Sequence, residues 1–238
     1  MFSAMPVSGK ESRKTLRANH SDTSDDLGFQ NPYWNYEDIG VFFLTIVLMG
    51  SLLRLLVRFH LLSRSTLDNP SVSFQFALIA SLSLALFLVL KLRHRRPVLS
   101  PLGWIWPSSL YAVVAPLAGM SLAFGVALYL RIRNQSTLHP HTMELLLLAL
   151  LLGPILEESL FRGCLLPLIA QTTGNVVAVI VTGLLFALLH QPAGLGHWVS
   201  LTATGLAYGW IRIASGSTAA AAVTHATYNL ALFLFTTF

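Results

Sequence analysis

The residues best suited to chemistry are concentrated in the second half of the chain. Between residues 145 and 238 the only charged side chains are those of Glu157, Glu158, Arg162 and Arg212. Glu158 and Arg162 are four residues apart, with the carboxylate nearer the N-terminus, which favours an ion pair along one face of a helix. Glu157 points about 100° away from that face, and no cation lies near it in the sequence. One carboxylate is therefore expected to be structural and the other available. An ion pair at the membrane edge is the alternative for this cluster.

Two histidines and an asparagine add to this inventory. His190 ends an apolar run, whereas His225 and Asn229 are four residues apart in a segment rich in alanine and leucine. That spacing places His225 and Asn229 on one helical face, and both side chains need partners in a dry environment. This inventory could hold a divalent ion such as Zn²⁺ through nitrogen and oxygen ligands and leave a carboxylate to activate water, with His190 and His225 as the candidate metal ligands. A metal-free site, in which Glu157 and a histidine share the proton transfers, is equally compatible with these residues.

The elements that must position these residues are apolar helices. The chain has 238 residues, of which 54% are hydrophobic and 11% charged, and its mean hydropathy is +0.66. Soluble domains carry about 25% charged residues, so an ordinary water-soluble globule is excluded. Backbone groups in lipid must be satisfied internally, and about 20 residues of helix cross the hydrocarbon core. The sequence thus predicts an all-α, polytopic membrane bundle of about seven transmembrane helices, at about 39–57, 72–90, 109–130, 143–166, 174–190, 197–213 and 217–237.

The chain divides into three parts by composition. Residues 1–36 form a polar tail that is expected to be disordered, because it cannot bury enough apolar surface to offset the ordering entropy. Residues 37–142 are expected to form the N-terminal transmembrane helices, and residues 143–238 the catalytic core. The net charge of +5 comes mostly from basic residues beside apolar spans, a pattern of interfacial anchors. It therefore indicates contact with membrane lipid and no nucleic-acid partner.

Small residues and a proline predict two local features of the core. Gly153 and Pro154, just before the glutamates, should disturb the helix and leave backbone groups unpaired, which membranes tolerate where a protein cavity accepts them. Gly205 and Gly209 form a pair of small residues four apart, which permits close packing of two helices.

Three short motifs on consecutive apolar segments resemble those of the CPBP family, which contains the type II CAAX prenyl endopeptidases and bacteriocin-processing proteins: Glu157-Glu158-x-x-x-Arg162, Phe186-x-x-x-His190 and His225-x-x-x-Asn229. The resemblance covers about residues 143–235, and all three motifs match in order and approximate spacing. It implies an all-helical intramembrane protease whose conserved glutamates, histidines and asparagine line a cavity open to one face of the membrane. The first 140 residues carry no comparable motif, so the resemblance does not define the substrate.

The resemblance also implies a role for each matching residue. Glu157 would activate water, with His190 as its partner. His225 and Asn229 would form an oxyanion-stabilising or metal-contacting pair. Glu158 and Arg162 would brace the site, and Phe186 would pack beside it.

Other intramembrane chemistries lack their residues. The sequence has no His-Glu-x-x-His motif of the zincin type, no Gly-x-Ser-Gly nucleophile and no aspartate after Asp68, which excludes an aspartyl dyad. The favoured function is hydrolysis of a peptide bond in a lipid-linked or membrane-associated peptide or protein, prenylated substrates being one option. A non-catalytic membrane scaffold or bacteriocin-immunity protein with the same bundle is the alternative.

Overall fold

Seven helices account for the described structure, a computed structural model that describes residues 32–65, 71–133 and 143–237. No strand occurs in these ranges, and the all-helical fold and the helix number confirm the prediction. In chain order the helices are α1 (Tyr36–Arg58), α2 (Val72–His94), α3 (Ser109–Ile132), α4 (residues 143–173), α5 (Asn175–Leu189), α6 (Leu195–Ser215) and α7 (Thr218–Thr237). Residues 1–31 of the predicted disordered tail lie outside the described residues.

Four of the described helices are long and apolar enough to cross a membrane: α1, α2 from residue 73 onward, α3 and α7 up to residue 235. The helix α5 is equally apolar but shorter, at 15 residues. Only about a tenth of the apolar window of α1 or α2 is buried inside the protein. These two helices therefore offer most of their apolar surface to the surrounding hydrocarbon, which suits a lipid solvent and not water.

The helices α3 and α7 pack along each other through a stripe of small residues. Ala115, Gly119, Ala123 and Val126 recur every three or four positions on α3 and are buried. At Gly119 even a methyl group would collide with the backbone of α7 at Thr224. This stripe lets the two backbones approach closely, as in other membrane helix pairs, and it fixes the rotation of the helix that carries His225.

A second close contact joins α5 and α6. An added methyl group at Gly205 would lie 2.8 Å from the carbonyl oxygen of Gly183, and one at Gly209 would lie 3.2 Å from a side-chain methyl of Val179. The predicted packing role of the two glycines is thereby confirmed. The contact holds α6 against α5, so that residues from both helices reach the charged turn of α4.

The N-terminal end of α1 is tied to the rest of the bundle. Asn35 and Asp38 form a capping box, and the buried carboxylate of Asp38 also contacts Arg93 (2.6 Å) and His94 (2.9 Å) at the end of α2. Beside this cluster, the indole nitrogen of buried Trp34 donates a hydrogen bond to the carbonyl of Cys164 in α4 (3.2 Å). The first two helices are thus connected directly to the helix that bears the glutamates.

Candidate active site

The charged turn of α4 lies between two stretches of π-helix. These are Leu148–Leu152 and Ser159–Leu165, and the α-helical turn Gly153–Glu158 separates them. In the first stretch the amide of Gly153 donates to the carbonyl of Leu148, five residues back. Pro154 has no N–H to continue this pattern to Ala149. Such π-segments are frequent at functional sites.

Asn229 on α7 occupies the backbone position that Pro154 leaves open. Its amide nitrogen donates a hydrogen bond of 2.8 Å to the carbonyl of Ala149. The predicted loss of a backbone partner near Gly153 and Pro154 is therefore real, and a side chain compensates it. One of the two amide hydrogens of Asn229 is used in this way, which leaves the second for other partners.

The neighbouring carboxylate, Glu158, is fully buried and paired. Its Oε2 lies 3.2 Å from Nε of Arg162, and its Oε1 accepts a hydrogen bond of 3.3 Å from Nη1. The third donor group of Arg162, Nη2, bonds to the carbonyl of Gly205 at 2.6 Å. The ion pair expected from the spacing is present. Because Oε1 of Glu158 also contacts Nδ1 of His225 at 2.9 Å, the pair extends across to α7.

Aromatic rings surround the buried guanidinium group. Its carbon atom lies 5.0 Å from the ring centroid of Phe186, 5.4 Å from that of Tyr208 and 5.5 Å from that of Phe161. A desolvated cation over such rings gains about 0.5–2 kcal/mol from each good contact. These contacts help to offset the cost of placing Arg162 where none of its side chain reaches solvent.

Glu157 lies in a different environment from Glu158. Its side chain is 28% exposed, and its Oε2 lies 3.7 Å from Nε2 of His190 and 4.0 Å from Nε2 of His225. That oxygen is enclosed, yet no hydrogen-bond partner for it is found in the described part of the chain. The structure thus places one paired and one unpaired carboxylate side by side, as the sequence predicts.

His190 reaches Glu157 because α5 ends there. His190 is the C-cap residue, Gln191 adopts a positive φ of 47°, and Pro192 follows, which disfavours a continued helix. Nδ1 of His190 lies 2.8 Å from the carbonyl of Phe186. The Phe186 ring packs against the imidazole at 4.3 Å between centroids. The helix end and this packing turn Nε2 toward Glu157.

The hydrogen bonds of the two histidines determine which nitrogens are available. A carbonyl can only accept, so Nδ1 of His190 must carry a hydrogen, and the ionised Glu158 places one on Nδ1 of His225. In the neutral rings both Nε2 atoms then present lone pairs toward Glu157. Three acceptors therefore surround one gap, whereas a water molecule between them has two hydrogens to give. A further proton, a cation or a second water molecule can satisfy the third acceptor.

The same geometry bears on metal binding. Two imidazoles and one carboxylate are the donor set of several catalytic zinc sites, and the Nδ1 contacts are of the kind that orient metal-bound histidines. As the side chains stand, however, no group of three or more His, Cys, Asp or Glu residues in the described ranges is arranged to hold an ion. The donor types fit a zinc ion, and the present spacing does not.

The structure brings together six of the seven motif residues and adds others that the sequence did not indicate. Glu157, Glu158, Arg162, Phe186, His190 and His225 form one cluster, and Asn229 joins α4 beside it. Tyr208, the Gly205 carbonyl and the Ala149 carbonyl were missed. A backbone carbonyl leaves no trace in a sequence, and a tyrosine within an apolar helix is not distinctive.

The chain can now be compared with known proteins. Residues 139–231 match the family model described as type II CAAX prenyl endopeptidase Rce1-like, which confirms the resemblance seen in the motifs. No curated protein and no solved structure gives a significant match. The matching family is one of membrane-embedded proteases, and it implies a protein or peptide substrate at a membrane. Together with the four long apolar helices, the match identifies a multi-pass integral membrane protein whose residues 139–231 match the Rce1-like type II CAAX prenyl endopeptidase model.

Proposed function

We propose that the protein is an intramembrane endopeptidase that hydrolyses a peptide bond of a lipid-linked or membrane-associated substrate, with Glu157 as the base that activates water. One observation carries this proposal: Oε2 of Glu157 has no hydrogen-bond partner among the described residues and faces Nε2 of both His190 and His225. An ionised oxygen held in this way is a strong acceptor for a water proton. Glu158 is given no such role, because none of its side chain is exposed, its Oε2 lies 3.2 Å from Nε of Arg162, and its Oε1 is hydrogen-bonded to Arg162 and His225.

The reaction then follows from the hydrogen-bonding capacity of each group. Water lies between Glu157 and His190 and loses a proton to the carboxylate as its oxygen attacks the scissile carbonyl carbon. When the tetrahedral intermediate collapses, the C–N bond breaks and Glu157 returns that proton to the leaving amine nitrogen. For the attack step, we place one further proton on Nε2 of His225. There it turns the imidazole into a donor for the developing oxyanion, and Glu158 balances its charge. The second amide hydrogen of Asn229 is the other donor, and each good donor is worth about 3 kcal/mol in the transition state.

A cavity beside α4 supports a lipid-bearing substrate. Its volume is about 360 Å³, within the range of about 300–1,000 Å³ typical of small-molecule sites. Its walls are almost entirely apolar and come from α2, the connection to α3, and α4, through residues such as Phe87, Leu102, Trp104 and Leu156. The hydroxyl of Ser159 in the wall already donates to the carbonyl of Ile155, so the cavity suits a hydrocarbon chain and not a polar group.

Zinc assistance is the second candidate for the chemistry, because Nε2 of both histidines faces Oε2 of one carboxylate, although these side chains would have to move to bind an ion. His190, His225 and Glu157 would hold the ion, which would supply a Lewis acid and a more acidic bound water. Metal content of the detergent-purified protein, measured by mass spectrometry beside His190→Ala and His225→Ala, distinguishes the two. About one zinc per chain that disappears in both variants favours the metal-assisted reaction, and chelator-resistant cleavage by a metal-free sample favours Glu157 acting with His190.

Replacement of Glu157 by glutamine tests the proposal directly, because it keeps the shape and removes the base. The assay is cleavage of one peptide sequence, presented in vesicles either with an isoprenoid on a cysteine or anchored by a transmembrane segment. We expect Glu157→Gln to lower the cleavage rate by about 10²–10⁴. The matched control is Glu37→Gln, which removes a carboxylate that is 77% exposed and remote in sequence from the motifs.

Two results of this cleavage assay would count against the proposal. Unchanged cleavage by Glu157→Gln would reject this residue as the base. A folded wild-type protein that cleaves neither substrate would favour the alternative of a non-catalytic scaffold or immunity protein.

A further inference from the structure

Tyr208 is the largest buried group beside the site that the proposed reaction leaves without a role. It lies on α6, with only 1% of its surface exposed. Its ring is stacked on the imidazole of His225, at 4.7 Å between centroids and 19° between planes. The guanidinium carbon of Arg162 lies 5.4 Å from the centroid of the same tyrosine ring. Tyr208 therefore contacts both the histidine and the cation that serves Glu158.

The imidazole of His225 needs more than one contact to hold its direction. The hydrogen bond from Nδ1 to Glu158 fixes one end of the ring, but a single bond allows the ring plane to pivot about it. A parallel aromatic ring in contact with one face blocks that movement. The edge of Phe186, at 5.8 Å and 76° to the imidazole, adds a second boundary.

The orientation matters because of what Nε2 faces. That atom lies 4.0 Å from Oε2 of Glu157, and a rotated ring would carry it out of the group of three acceptors. Misplacement of a reacting group by about 1 Å can cost about 10² in rate. The ring that prevents rotation should therefore affect the chemical step more than substrate binding.

We propose that Tyr208 is a positioning residue for the reaction, whose ring, and not its hydroxyl, keeps the imidazole of His225 directed at Glu157. The proposal rests on the proposed function for its kinetic consequence, and on the stacking geometry alone for its structural one. Tyr228 provides a matched comparison. It is also a buried tyrosine, and it contacts Tyr208 edge-on at 6.2 Å, so its removal loosens the same region without uncovering the face of His225.

The kinetic test uses Tyr208→Phe, Tyr208→Leu and Tyr228→Leu in the full chain. We expect Tyr208→Phe to keep kcat within about twofold, because it keeps the ring. Tyr208→Leu should lower kcat by about 10² and change KM by less than about twofold, whereas Tyr228→Leu should leave kcat near that of the unaltered protein. Full kcat in Tyr208→Leu, equal losses in Tyr208→Phe and Tyr208→Leu, or an equal loss in Tyr228→Leu would each overturn the proposal.

A second measurement needs no substrate and separates this proposal from the proposed function. Diethyl pyrocarbonate modifies imidazoles, and peptide mass spectrometry gives the rate at each histidine. His225 has a side chain that is only 7% exposed, whereas that of His190 is 34% exposed and serves as the internal reference. We expect faster modification of His225 in Tyr208→Leu only. An unchanged rate there would contradict the stacking role, whereas an inactive wild type that shows the expected change would contradict the proposed function alone.

Discussion

Arg162 is the residue whose loss the structure predicts to be most costly for stability. The change to leucine keeps an apolar side chain of moderate size but removes the cation. None of the side chain of Arg162 or Glu158 is exposed, so the carboxylate left behind cannot be solvated by water without opening the bundle. Among the described residues, the carboxylate of Glu158 then keeps only its side-chain contact with Nδ1 of His225.

The magnitude follows from the three contacts that disappear. Removal of one partner of a buried ion pair costs about 3–5 kcal/mol. The hydrogen bond from Nη2 to the Gly205 carbonyl at 2.6 Å also disappears, and a hydrogen bond that involves a charged group contributes about 1.5–3 kcal/mol. Part of these two costs is shared, because both arise from the same cavity. We therefore expect Arg162→Leu to lower the free energy of unfolding by about 4–6 kcal/mol.

A neutral partner distinguishes the cost of the buried charge from the cost of the cavity. Glutamine at position 158 carries no charge and can still accept a hydrogen bond from His225, so the double variant Glu158→Gln with Arg162→Leu should regain at least about 2 kcal/mol. Thermal unfolding in one fixed detergent, followed by tryptophan fluorescence, gives the comparison. If Arg162→Leu unfolds within about 1 kcal/mol of the unaltered protein, or if the double variant is no more stable than the single one, this account of the ion pair is wrong.

Two further predictions concern the packing around the site and are checked by the same unfolding assay. Gly205→Ala should destabilise the protein by about 1–3 kcal/mol, because its methyl group would lie 2.8 Å from a backbone oxygen of α5. Gly209→Ala should cost less, because its methyl group would lie 3.2 Å from a side-chain methyl group. Equal losses of stability in the two variants would contradict this reasoning. Trp34→Phe should cost about 0.5–1.5 kcal/mol, because the buried indole loses its hydrogen bond to the Cys164 carbonyl. The control Tyr33→Phe removes a more exposed hydroxyl contact and should cost less, and a larger loss in the control would reject the inference.

Local features of the fold could be predicted because they depend on one helix at a time. Apolar length gives the helices, and a spacing of four gives the Glu158–Arg162 pair, since helical geometry alone places these residues on one face. Pro154 likewise removes a known donor at a known place. The glycines of α6 indicate close packing by their size, although the sequence does not say that Gly183 is the partner.

Contacts between helices could not be derived in the same way. The bond between Glu158 and His225 joins residues 67 positions apart, and that between Arg162 and Gly205 joins residues 43 apart. Such contacts depend on how each helix is rotated, and here that rotation is set by steric details such as Gly119 against α7. The motif resemblance groups the residues correctly but does not specify which carboxylate oxygen meets which nitrogen.

The different environments of the two glutamates follow from the contacts of Arg162. Its Nε and Nη1 lie against Glu158, and its Nη2 is bonded to the carbonyl of Gly205, so each of its three nitrogens has a described contact other than Glu157. A permanent cation such as guanidinium in contact with Glu157 would weaken the proposed base as a proton acceptor, whereas the proposed proton on His225 is donated to the oxyanion. Glu158 and Gly205 thus do more than stabilise Arg162. By holding the guanidinium group, they keep the cation away from Glu157, whose Oε2 faces the two imidazole nitrogens at 3.7 and 4.0 Å.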